Sequence, residues 1–284
     1  MSTLKRVLGP TAVGTRAYAV ALAREAVSPV VSCDSRQFYR ELCIGVARPE
    51  PELLAAVPHY FIADRSIAEP LSAGGYELEA LALLDELFQT HDTVVMAGGS
   101  GLYIDALCNG LDDFPEADPE LRAQLSERLR TEGVAALRAD LKILDPESYA
   151  ALDPANGQRI VRALEVTIAT GRKFSSFKTH APKPRPFTIE KIGLTRLRAE
   201  LYARIDTRVD QMMAAGLLDE VRSLLPHRDR PALNTVGYKE LFAYLDGAYD
   251  LHEAMRLIKR NTRHYAKKQL TWWSRDPSIH WLAP

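Results

Sequence analysis

An α/β fold, a parallel sheet core flanked by helices with a small helical insertion domain, is predicted by three features of the sequence. Short apolar runs (residues 7–8, 30–32, 93–97 and 189–194) close on glycine or polar residues and alternate with stretches of helical texture, the pattern that builds a parallel sheet. Two of these runs open directly into glycine-rich turns, GPTAVG at 9–14 and GGSGLY at 98–103. From Pro115 the texture becomes charged and Leu-bearing with helical periodicity, and a basic, proline-rich segment (173–186) leads back out of it. The core is therefore expected to comprise residues 1–114 and 187–284, with the insertion at 115–186.

The first run ends at Gly9, a Gly-Pro turn follows, and residues 17–26 carry good helix formers. Strand, turn and helix in that order form a phosphate-type loop, whose bare N–H groups can cradle a di- or triphosphate. The residues concerned are Gly9, Pro10, Thr11, Ala12, Val13, Gly14, Thr15 and Arg16. Gly9 and Gly14 have the spacing of G-x-x-x-x-G-K-[ST], but Thr15 replaces the Lys and Arg16 the metal-binding hydroxyl. An ordinary strand-turn-helix is the alternative.

The second run ends in Cys33-Asp34-Ser35-Arg36-Gln37, polar residues at the carboxyl edge of the expected sheet, where α/β folds place ligands. Asp34 is a candidate base or metal ligand, or else a helix N-cap. Residues 44–76, with four prolines and the pair Gly74-Gly75, read as a long loop, a lid or a substrate-facing segment. His59 within it would touch a ligand or be structural. A helix is expected at 77–89, and a strand at 93–97 runs into the second glycine turn, so that both turns and Asp34 converge on one sheet edge.

Within the insertion, helical periodicity covers 118–144, and a second helix in 154–171 places Arg159 and Arg162 on one face. Residues 189–194 are expected to be the last core strand. A long helix over 197–225 puts Arg204 and Arg208 on one flank, either aimed together or solvated. The final helix, 253–273, carries Arg256, Lys259, Arg260, Arg263 and Lys267 mostly in one sector without acidic residues after Glu253. Such a stripe is either a footprint for a phosphate backbone or a solvated face.

The chain has 284 residues and a net charge of −1, with 46% apolar and 26% charged residues, so a nucleic-acid surface would have to be a local patch. Cys33, Cys43 and Cys108 lack C-x-x-C spacing, as expected for buried thiols in a reducing cytoplasm. No stretch reads as a signal peptide or a membrane anchor.

Nine stretches resemble the tRNA dimethylallyltransferases in the family's own order. They are GPTAVG (9–14), DSRQxY (34–39), IGxAxP (44–49), VPH (57–59), GGSGLY (98–103), RIVRALEV with TG (159–171), LYxRIDxRV (201–209), VGYKE (236–240) and TRxYAKKQLTW (262–272). The resemblance implies a P-loop-type core with a helical insertion and an RNA channel between them. It implies transfer of a dimethylallyl group from its diphosphate to N6 of an adenosine beside the tRNA anticodon. It assigns Asp34 as the base, and Thr11 and Arg208, with Arg204 beside it, to the departing diphosphate. By the same resemblance Asp34, Ser35, Arg36, Gln37, Ser100, Arg122, Gln158, Arg159, Ile160, Val161, Arg162, Arg263, Lys267, Lys268 and Gln269 would line the RNA path. Mg²⁺ would bridge the diphosphate oxygens, Thr15 serving as its ligand only if the first helix starts out of register. A cytoplasmic monomer is the simplest expectation.

The sequence departs from that family at Thr15 and Arg16, and also at Val46, Arg48, Tyr60, Leu71, Gly74-Gly75 and Asn234. Two other functions compete. One is a paralogue that grips anticodon arms without efficient transfer, and the other is a P-loop nucleotide kinase, which leaves the basic last helix unexplained.

Overall fold

A computed structural model describes every residue except Met1, Ala117, His180 and Pro284. In chain order the first part of the core runs β1 (Thr3–Leu8), α1 (Thr15–Glu25), β2 (Val30–Ser32), α2 (Pro51–Ala56), β3 (His59–Tyr60), α3 (Ala73–Leu87), β4 (Thr93–Gly98) and α4 (Gly101–Asn109). Next come α5 (Pro119–Thr131), α6 (Val134–Leu144), α7 (Pro146–Ala151) and α8 (Gly157–Thr170). The chain then returns through β5 (Thr188–Leu194), α9 (Arg198–Ala214), α10 (Leu217–Ser223), α11 (Tyr238–Leu245), α12 (Leu251–Trp273) and β6 (His280–Leu282).

Two compact units result, residues 1–110 with 184–284, and residues 111–183. The larger unit begins again at 184, before the expected 187, because the buried Arg185 guanidinium donates to Glu77 at 2.7 Å and to the α4 carbonyls of Ala106 and Leu107 at 2.8 Å. The smaller unit has its own core, in which Leu125, Leu137, Leu141, Ile160, Val161 and Leu164 meet.

All six strands among the described residues pair in parallel, in the order β3-β2-β4-β1-β5-β6. β1 lies central, and Leu4, Val7 and Leu8 on it, like Val94, Val95 and Met96 on β4, are completely buried between helical layers. Because β2, β4 and β1 are neighbours, the turns after them lie side by side at the carboxyl edge. A loop sequence becomes a site through this adjacency.

Several expected boundaries move for identifiable reasons. α3 starts four residues before the expected 77, since Ser72 caps it by accepting the Gly75 N–H at 3.0 Å, outweighing the poor propensity of Gly74-Gly75. The helical texture of 118–144 is two helices, parted at Gly133 with φ +82°, and that of 197–225 is two helices, parted at Gly216 with φ +99°. β5 is not the last strand. β6, only three residues long and therefore without a readable period, extends the sheet, and Asp276 just before it pairs with Arg6 of β1 and Lys191 of β5.

Candidate active site

The phosphate-type loop is shaped by backbone conformation and held by arginines. Ala12 and Gly14 both have positive φ, 69° and 116°, and Gly9 is packed so closely that an added Cβ would lie 2.7 Å from a Val13 methyl. Three guanidinium groups grip the loop. Arg196 Nε donates to the Val13 carbonyl and Arg204 Nε to the Ala12 carbonyl, each at 2.8 Å, while Arg208 Nη1 reaches the Thr11 hydroxyl at 3.4 Å. With those carbonyls engaged, the open N–H groups at the start of α1 remain for an anion.

Not all loop N–H groups expected for this task are free. Pro10 has none, the Val13 N–H goes to the Pro10 carbonyl at 3.1 Å, and the Thr11 N–H goes to Gln269 Oε1 at 2.8 Å. Gln269 also donates from Nε2 to the Gly99 carbonyl at 2.9 Å. Nearly buried, it is a strut joining the two glycine-rich turns rather than an exposed RNA contact. Tyr265, one helical turn earlier, reaches the same carbonyl at 3.3 Å.

Asp34 follows β2 and accepts the Arg36 N–H on Oδ1 at 3.1 Å, so it organises a turn rather than capping a helix. Gly98 of β4 touches this segment, an added Cβ there lying 2.8 Å from the Asp34 nitrogen. Burial pushes the Asp34 carboxyl above the usual carboxylate range, against the opposing pull of the Arg36 N–H and the charge of Arg16.

A cavity of about 580 Å³ opens between these pieces, lined by the phosphate loop, Asp34, Arg16, Arg204, Arg208, Glu50 and the segment 43–50. A second, polar cavity of about 430 Å³ is lined by Ser35, Arg36, Ser100, Asn234, Lys239, His264 and Lys268. Asp34 and Tyr265 line both. The expected convergence of Asp34 on the glycine turn is thus present, and the carboxylate sits where two compartments meet.

Segment 43–49 is part of the first cavity's wall, fixed by Glu220, which sequence reasoning passed over, by Arg48, and by Gln37, whose side chain is turned into this wall rather than exposed to an RNA as expected. The Glu220 carboxylate accepts the N–H groups of Cys43, Ile44 and Gly45 at 3.2, 2.7 and 3.1 Å, and the Tyr238 hydroxyl as well. Gln37, nearly buried, donates to the carbonyls of Val46 and Ala47, and Arg48 donates to those of Tyr39, Arg40 and Leu42. Glu220→Ala leaves three backbone donors without a partner and is expected to lower stability by about 1–3 kcal/mol. A denaturant melt reads the loss; unaltered stability would show that the wall holds its shape without this anchor.

The remaining sequence candidates divide. Ser35, Arg36, Ser100 and Lys268 line the second cavity, with the Ser35 N–H donating to the Ser100 hydroxyl at 2.9 Å. The basic stripe of α12 is partly neutralised, because Arg256 pairs with Glu253, Lys259 with Asp210 and Arg263 with Asp206; Lys267 is exposed. In the smaller unit Gln158 and Arg159 are exposed, while Arg122 and Arg162 both pair with the buried Glu165. Ile160 and Val161 are core residues there, 1% and 2% exposed, so their side chains do not face an RNA.

The site does not suit a metal ion held by the loop. α1 begins at Thr15, immediately after Gly14, so the register shift that would make Thr15 a metal ligand is absent and residue 16 presents a guanidinium. Among the described residues no group of three or more His, Cys, Asp or Glu side chains could hold a metal ion.

The family model described as IPP transferase matches residues 37–276. The chain belongs to the IPP transferase family. Among its relatives in that family, tRNA dimethylallyltransferase 1 of Bacteroides fragilis is 49% identical over 282 residues, covering 99% of this chain and 94% of that protein. tRNA dimethylallyltransferase 2 of Porphyromonas gingivalis is 50% identical over 282 residues, with the same 99% and 94% coverage. The crystal structure of the full-length tRNA isopentenylpyrophosphate transferase from Bacillus halodurans superposes with a TM-score of 0.73 at 36% identity, covering 100% of this chain and 90% of that one. A eukaryotic dimethylallyltransferase acting on tRNA shares the fold, with a TM-score of 0.82 at 22% identity over 100% of this chain and 74% of that one.

Proposed function

We propose that this IPP transferase family member moves a dimethylallyl group from dimethylallyl diphosphate to N6 of the adenosine adjacent to the anticodon in tRNA. The observation that carries this reading is the position of Asp34 between a cavity lined by the glycine loop and by Arg16, Arg204 and Arg208 and a second, polar one. The donor occupies the first, its diphosphate on the open N–H groups of α1 and the guanidinium groups of Arg16, Arg204 and Arg208. The everted adenine enters by the second, after leaving its stack at a cost of roughly a few kcal/mol.

In the transfer step the N6 lone pair forms a bond to the allylic carbon. The bond from that carbon to the diphosphate oxygen breaks, its electron pair leaves with the diphosphate, and the N6 proton passes to the Asp34 carboxylate. The Mg²⁺ implied by the resemblance has no ligand at residue 16, and in this reading no step needs a metal held by the loop. Lys267, Lys268, Gln158 and Arg159, all exposed, are assigned to the tRNA backbone. No helix among the described residues is long and apolar enough to cross a membrane.

Incubating the purified chain with dimethylallyl diphosphate and an unmodified tRNA carrying adenosines beside its anticodon is expected to yield the prenylated base, identified by nucleoside mass spectrometry. Salt-sensitive tRNA binding without any product would favour a protein that only grips anticodon arms.

A further inference from the structure

The phosphate loop keeps its ordinary register: the Tyr18 N–H donates to the Gly14 carbonyl at 3.2 Å, and α1 starts at Thr15. Residue 16 therefore occupies the place of the metal-binding hydroxyl in G-x-x-x-x-G-K-[ST], and there it offers a cation. Its Nη1 donates to the Arg48 carbonyl at 3.2 Å, which holds the side chain along the cavity wall.

Arg204 and Arg208 line the same cavity, and none of the three arginines forms an ion pair among the described residues. Their crowding is visible in Arg208, whose guanidinium pKa is lowered to about 10 by burial first and then by the charges of Arg16 and Arg204. Arg16 is itself lowered by burial, with Glu50 and Asp34 opposing the change. Like charges held together in a concave, partly desolvated site await an anion. A divalent cation entering with the diphosphate would add two more positive charges beside this cluster. A bare diphosphate instead meets forked donors suited to phosphate oxygens.

Resting on the reading that the first cavity takes the donor's diphosphate, we propose that this chain binds that group as a metal-free anion, Arg16 standing where a divalent cation would otherwise sit. Arg16 thereby supplies both the loop's missing cation and the counter-charge, and it cannot itself ligate a metal.

Titration calorimetry with inorganic pyrophosphate, in EDTA and in excess Mg²⁺, tests this on the intact chain. The wild-type protein is expected to bind in EDTA, with Mg²⁺ weakening the binding or leaving it unchanged. Arg16→Thr is expected to lose affinity in EDTA by about tenfold or more, the loss of one charge-assisted contact, and to regain it when Mg²⁺ is added. Wild-type binding that requires Mg²⁺ overturns the proposal while leaving the donor site in place, and it does so even if the variant fails to fold. Equal affinity of a folded Arg16→Thr variant in EDTA also overturns it. Absence of binding under both conditions, or pyrophosphate binding unaffected by Arg208→Gln, removes the donor-site reading itself.

Discussion

Asp34→Asn is expected to slow prenyl transfer by about 10²- to 10⁴-fold, the usual contribution of a positioned general base. The amide keeps an Oδ1 to accept the Arg36 N–H, now at 3.1 Å, so the turn persists and tRNA affinity stays at the wild-type level. Stability supplies a second readout. A carboxyl whose folded pKa is raised contributes stability below its unfolded pKa and loses that contribution as pH rises through the folded value. Above the folded value the ionised group therefore opposes folding, and there the neutral isostere should melt no lower than wild type.

The acid limb of the wild-type rate follows from the same shift. The base works deprotonated, so transfer should fall on acidification at a pH above the ordinary aspartate value of about 3.9. A limb at the ordinary value would contradict the effect of burial at this site. If Asp34→Asn instead lost tRNA affinity and stability while retaining turnover, the carboxylate would be a turn former only.

Arg208→Gln is expected to lower kcat by about 10²- to 10³-fold, the effect of removing one preorganised donor from a developing anion. Thermal stability of the donor-free protein should move the opposite way. Burial and the neighbouring Arg16 and Arg204 hold the Arg208 pKa at about 10, below that of a free guanidinium, yet the group remains charged at pH 7. A buried cation with a lowered pKa opposes folding throughout the range in which it is protonated, so the neutral variant should melt higher. Pyrophosphate should then raise the melting temperature of wild type more than that of the variant. Differential scanning calorimetry with and without pyrophosphate, beside single-turnover kinetics, reads both effects. Unchanged kcat together with unchanged melting would place Arg208 outside the donor site.

Local chemistry explains why some of this was readable and some was not. The glycine spacing of 9–14, the polar residues after β2 and the turn at 98–101 each have meaning within a few residues of chain, and all three came together at the sheet edge. Gln269 shows the opposite case. On the sequence it belonged by resemblance to the RNA path, whereas its side chain bridges Thr11 and Gly99, partners separated from it by more than 150 positions. Glu220 gave no sequence signal at all, because its role exists only where the N–H groups of 43–45 happen to converge.

What the α12 stripe and residues Ile160 and Val161 of α8 pack against was not legible for a related reason. Helical periodicity says which residues share a face but not what that face meets. Asp206 and Asp210 of α9 meet Arg263 and Lys259, and the core of the smaller unit meets Ile160 and Val161. Amphipathicity alone does not separate a partnered charge from a free one.

By itself the sequence determined the alternation of strands and helices, the phosphate loop and its exchanged residues 15 and 16, and the carboxylate after the second strand, since each depends on neighbours along the chain. Only the tertiary structure decided that Asp34 faces two cavities, that three arginines crowd one of them, and which N–H groups and cations remain unpaired. Those properties depend on distances between segments far apart in sequence, and burial and charge act through space rather than along the backbone.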